Sequence, residues 1–170
     1  GVLFLLTADS LASVLPTIRS RCVSFAVAPV SPAQCARYCA AQGVEKKDAA
    51  LYSELFDGHI GTVLAAAQDE ARRAQVDRAL ALAKAAAGHD SYAAGVLLSA
   101  YEKEKAGAIA LLTDFRAVAA SGLQGSSHSP LQGEAAQKAL SLADTAIQHL
   151  TAQVNPKITL AVLAARMRSI

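Results

Sequence analysis

Residues 5–27 read LLTADSLASVLPTIRSRCVSFAV. An apolar run gives way at Thr7-Ala8-Asp9 to a polar stretch, and Ser20-Arg21-Cys22 stands immediately before a second apolar run. Whether those two runs are strands decides the fold class of this end of the chain. Residues 2–6, Val-Leu-Phe-Leu-Leu, are apolar without interruption over strand length, the pattern of a central, parallel strand covered on both faces. Val23, Phe25 and Val27 alternate with smaller residues and predict a second strand. Between them, Asp9-Ser10 is placed to cap a short helical turn that Pro16 limits. Two strands alone do not make a stable sheet, so their neighbours are expected upstream. The chain therefore reads as one entered in the middle of a domain. Its start lacks a basic leader and a cleavage site and does not read as a signal peptide.

Beyond Pro29 the pattern turns helical. Ser31-Pro32-Ala33-Gln34 combines a capping serine, a proline suited to the first helical position and a glutamine able to close a capping box. That helix carries Cys35, Tyr38 and Cys39 to a stop at Gly43. A second short helix is predicted over 48–56, ended by Gly58, and a third from about Gly61 through Ala67. Residues 30–70 thus form a small three-helix module. Residues 71–170 read as a larger helical bundle, with helices expected over 72–87, from Asp90-Ser91 through Tyr101, over 106–120 and over 135–154. A last helix is led by Asn155-Pro156 and runs through Met167, with Arg166 and Arg168 placed in its final turn to complement the dipole. The Gly/Ser/Pro-rich stretch SGLQGSSHSPLQGE, residues 121–134, is expected to be a mobile loop within this bundle.

Composition bounds the function. The chain has 170 residues, 53% of them hydrophobic, only 5% aromatic, and no tryptophan, a mixture that favours helices packed through small side chains. A net charge of +2 and the lack of a basic run with interleaved aromatics give no DNA groove of its own. No apolar run approaches the roughly 18 residues that cross a bilayer. Three cysteines without a secretory segment point to reduced thiols and a cytoplasmic protein.

Few side chains form a pattern that carries chemistry. His59, His89, His128 and His149 are scattered and pair with no cysteine motif, so no metal site is expected. Cys35 and Cys39 share a helix face and read as small apolar residues at a helix interface. A glycine-rich phosphate loop with its lysine is lacking, and no cofactor is expected. Arg19 and Arg21 remain. One reading makes them partners in surface salt bridges. The other makes one of them an arginine finger, a guanidinium supplied across an interface to the charge developing on a γ-phosphate. A finger must be permanently charged, forked and held on stiff backbone, demands that a position beside Pro16 and ahead of a core strand meets.

Residues 4–25, FLLTADSLASVLPTIRSRCVSF, resemble the end of the ATPase domain in bacterial clamp-loader subunits, the AAA+ proteins of the DNA polymerase III holoenzyme. The sharp part of the match is Leu15-Pro16-Thr17-Ile18-Arg19-Ser20-Arg21-Cys22. In that family the Ser-Arg-Cys arginine is the finger, so the resemblance assigns that role to Arg21, with Ser20, Cys22 and Pro16 as the supporting motif. At lower specificity, residues 30–70 with their opening APVSPAQ resemble the family's three-helix lid, and residues 71–170 its helical collar, closed by NPKITLAVLAARMR. The implied fold is mainly α: remnant strands of an AAA+ ATPase domain in 1–29, then lid, then collar. The implied partners are the motor and delta subunits of a loader, met through the collar, ATP on the neighbouring subunit, and the sliding clamp and primed DNA through the complex. No membrane partner is implied.

The resemblance also separates two kinds of subunit. Motor members carry an arginine three residues after a lid glycine, where it contacts nucleotide. Here the segment is Gly58-His59-Ile60-Gly61-Thr62, and a glycine has no side chain to offer. The departure points to the stator member, which keeps the finger without turning over ATP, so this chain alone is expected to have no activity. The alternatives are an ATP-hydrolysing motor subunit of the same loader and a plain helical interaction domain. Thr7 and Asp9 lie where motor subunits place a nucleotide-sensing residue, and no role is attached to them here.

Overall fold

The computed structural model describes residues 2–8, 10–28 and 30–170. Gly1, Asp9 and Pro29 lie outside the described residues, and with them the cap assigned to Asp9 and the boundary set at Pro29. The protein is mainly α-helical, with nine α-helices and two single 3-10 turns among the described residues.

The first module is built as its capping residues dictate. α1 (Pro16–Arg19) is a single turn on the exposed segment discussed below. Helix α2 (Pro32–Ala41) opens with a complete capping box, in which the Gln34 amide donates to the Ser31 hydroxyl and the Ser31 amide to the Gln34 side chain. Gly43, at a φ of 91°, takes the left-handed position that ends it. α3 (Lys46–Leu55) and α4 (Ile60–Gln68) follow, and the three pack on one another around Cys35, Cys39, Tyr52, Leu55 and Val63, all buried.

Asp69 ends α4 and caps the next helix, its carboxylate accepting the amides of Ala71 at 2.9 Å and Arg72 at 3.3 Å. α5 (Glu70–Ala87), α6 (Ser91–Ser99), α7 (Lys105–Leu123), α8 (Gly133–Thr151) and α9 (Pro156–Arg166) form the bundle. α7 is its centre, packed between α5 and α8, while α9 lies against α6 and α8. Along α8 the buried residues Ala136, Ala139, Ala143, Ala146 and Leu150 recur at helical spacing, and the small alanines let α7 approach closely. By length and composition α7 is apolar enough to cross a bilayer, contrary to the expectation from single apolar runs, but its Leu111, Leu112, Phe115 and Val118 are spent on the core.

Two expectations are corrected. Residues 2–6 and 23–27 are not strands: no strand occurs among the described residues, and no backbone hydrogen bond among them involves residues 2–8 or 22–28. A strand exists only where another pairs with it, and none does so among the described residues. The short turn expected before Pro16 is present, a 3-10 turn over Leu11–Ser13 capped by Ser10, and Pro16 opens the separate turn α1. The other correction concerns residues 121–134. α7 absorbs Ser121 and Gly122, and the remaining loop is tied down by the buried Leu131 and by Ser129, whose hydroxyl donates to the Val118 carbonyl at 2.8 Å. A Cβ on Gly122 would collide with the Leu131 carbonyl, so only glycine lets this loop lie against α7.

Candidate functional site

The Ser-Arg-Cys motif sits on a turn that holds itself together. Pro16 supplies the fixed φ of a first helical residue. The Leu15 carbonyl accepts the amides of Ile18 and Arg19, both at 3.0 Å, and the Pro16 carbonyl accepts that of Ser20 at 3.0 Å. The Arg21 amide then donates to the Ile18 carbonyl at 3.0 Å, and the Ser20 hydroxyl to that of Thr17 at 3.3 Å. These bonds fix the backbone at Arg21 with no help from tertiary packing. All residues from Leu15 to Cys22 are exposed. Arg19 and Arg21 are both exposed, and among the described residues neither makes an ion pair. Cys22 is an exposed free thiol beside them.

The cysteines of α2 are of another kind. Cys35 and Cys39 are fully buried with sulfurs 4.0 Å apart, and burial first, then the neighbouring thiol, pushes Cys39 up to about 11. Both are packing residues of the module's core, and the Cys39 thiol stays protonated at neutral pH. Among the described residues no three metal-ligating side chains come together. Two shallow grooves lie in the bundle, one between α5 and α6 around Lys84, Asp90 and Val96, the other between α6 and α9 around Gly95 and Ala161. Neither includes a residue of the arginine turn.

Gly61 lies in the first turn of α4, exposed, and a Cβ built there meets nothing within 4 Å. The backbone at Gly61 thus leaves room for a Cβ. Gly58 is the opposite case. Its φ is 74°, and a Cβ there would collide with the Val30 carbonyl, where the chain enters α2.

Two polar groupings escaped the sequence reading. Arg72 forks onto both carboxylate oxygens of Asp114, Gln75 donates to the same carboxylate at 2.7 Å, and the Arg72 guanidinium lies 5.5 Å from the centre of the Phe56 ring. Separately, Glu54 of α3 accepts from the Ser126 hydroxyl at 2.5 Å and from Nδ1 of His128 at 2.8 Å. The signal for the first was present in the sequence: Asp114 falls on the apolar face of α7, at helical spacing from Leu111 and Val118, and a carboxylate enters a core only with a partner.

Comparisons of the chain with protein-family models, with curated proteins and with solved structures find no match.

Proposed function

We propose that this chain carries the lid and collar of a delta-prime-type stator subunit of a bacterial clamp loader, and that Arg21 is its arginine finger. The observation that carries the reading is the turn Leu15–Cys22: a motif resembling the family's, on self-bonded backbone, with its guanidinium groups free of internal carboxylates among the described residues. A helical module and a bundle follow in the order that the lid and collar of such a subunit require. In this reading the exposed apolar side chains of residues 2–6 and 23–27 are covered by neighbouring structure.

In this reading the subunit performs no chemistry alone. It holds neighbouring motor and delta subunits through the bundle and places Arg21 at ATP bound on a neighbour. There the fork of permanently charged donors stabilises the transferring phosphoryl group. Ring assembly then supports placement of the sliding clamp on primed DNA. An ATP-hydrolysing motor is the alternative, and Gly61 speaks against it: a nucleotide-contacting arginine is missing at a position with room for a Cβ.

The test is reconstitution of the full chain with motor and delta subunits. Arg21→Ala lowers ATP turnover by the neighbouring subunit roughly a thousandfold. Arg21→Lys fails to restore it, because an ammonium lacks the planar fork. Arg19→Ala, two residues away, is the charge-matched control and leaves turnover within a few fold. Unchanged turnover with Arg21→Ala in an assembled complex overturns the proposal.

A further inference from the structure

Residues 30–70 and 71–170 read as separate units in sequence, and motion between such units is the default unless a substantial contact holds them. The structure places unusual chemistry across that boundary. Asp69 caps α5 and so sets Arg72 and Arg73 in its first turn, the end of a helix where positive charge is disfavoured. Both arginines are spent on bridging. Arg73 donates to the Ala67 carbonyl at 2.7 Å and pairs with Asp48 of α3 at 3.2 Å. Arg72 covers the Phe56 ring at the end of α3 while forking onto Asp114 in the middle of α7. The Asp114 side chain is only 6% exposed and that of Arg72 23%, so neither charge has water enough to do without the other. The hydrophobic core is continuous beneath them, from Cys35 through Val76 to Met167.

We infer that Arg72, with Asp114, Gln75 and Phe56, is a clasp that fixes the three-helix module to the bundle, so that residues 31–170 open and move as one body. The clasp stands on the geometry of this chain alone; its consequence for a loader, a lid that does not swing against its collar, rests on the function proposed above. Movement of the arginine turn relative to this body then falls to residues 22–28, which carry no backbone hydrogen bond among the described residues.

Amide hydrogen exchange on the full chain, without nucleotide or partners, tests this. In the wild type, the most protected amides of α2–α4 exchange through the same opening as those of α7 and α8. Asp114→Asn strands the guanidinium and speeds exchange in α2–α4 roughly a hundredfold, while α8 and α9 change by less than about tenfold. Arg72→Met with Asp114→Leu removes both charges together, keeps the chain folded, and gives the same selective loss. Arg116→Ala breaks the exposed pair with Asp144 and leaves every helix unchanged. Two results overturn the clasp: α2–α4 already opening alone in the wild type, or the Asp114 variants accelerating all helices equally. Neither depends on ATP turnover, so the clasp and the finger fail separately.

Discussion

Phe25 and Phe115 are the same side chain in opposite circumstances: the first is 84% exposed, the second fully buried. The contrast extends to their regions. Residues 2–28 are rich in large apolar side chains and bury none of them, whereas residues 31–170 close a continuous core. Apolar content does not separate the two. What separates them is how each backbone is satisfied. A helix pairs its own amides and carbonyls within a turn, leaving its apolar face free to pack on whatever helix follows. A strand pairs only with another strand, and without one its hydrophobic residues have no surface to lie against. The arginine turn and the 3-10 turn at Leu11–Ser13 are the exceptions within this region because their backbone hydrogen bonds span only three or four residues.

The hardest way to break this comparison is to truncate both phenylalanines. Phe115→Ala removes the largest fully buried side chain and costs about 3–5 kcal/mol, lowering the thermal midpoint of the helical signal by about 10 °C. Phe25→Ala leaves that midpoint in place and improves solubility by reducing exposed apolar surface. Circular dichroism on the two variants decides it. A fall in midpoint for Phe25→Ala would show that residues 2–28 pack on the helices after all.

The same contrast explains what the sequence made legible. Helices α2, α6 and α9 begin where their capping residues place them, because Ser31, Asp90 and Asn155 act on amides two or three positions away, whereas α5 starts two residues ahead of the expected residue 72, under a cap by Asp69 that the reading missed. Such information is local. The two strand readings show the converse: Val2–Leu6 has the composition of a strand, but a strand depends on a distant partner, and none pairs with it among the described residues. The loop at 121–134 misled because serine and glycine usually mark solvent, whereas here Ser129 and Gly122 accommodate the burial of Leu131 against α7. The exposed arginine turn was legible as a motif, but its helical backbone was not, because Pro16 read as the limit of a turn and opens one instead. The clasp was half legible: Asp114 stands out in its helix, but nothing in the chain order pairs it with Arg72, 42 residues away.

A gentler perturbation is acid, which acts on the folded region at a known point. Hydrogen bonds from His128 first and Ser126 second hold the Glu54 carboxyl below its ordinary value of 4.5. A depressed carboxyl contributes stability that is fully present above its unfolded value and fades as pH falls through its folded one. The wild type therefore loses stability on acidification below about pH 4.5 more steeply than Glu54→Gln does. Urea midpoints measured between neutral pH and pH 3 give the two slopes. Identical slopes would remove Glu54 as a link between α3 and the loop after α7.

The smallest effect expected is at Gly61, and it sharpens the comparison by setting two neighbouring glycines apart. Gly58 is held by its left-handed φ and by the Val30 carbonyl, so the fold requires it. Gly61 is bound by neither constraint. Replacing it with arginine gains about 0.8 kcal/mol of helix propensity and gives back about 0.3–1 kcal/mol by placing a cation in the first turn of α4. The two terms nearly cancel, and Gly61→Arg leaves the denaturation midpoint within experimental scatter. If the midpoint holds, the fold does not require glycine at 61 as it does at 58. Reconstituted with partner subunits, the same variant then gives no new ATP turnover from this chain, since one nucleotide contact does not make a catalytic site. Turnover that appears in Gly61→Arg and survives loss of ATP hydrolysis by the partners would instead place this chain among the motors.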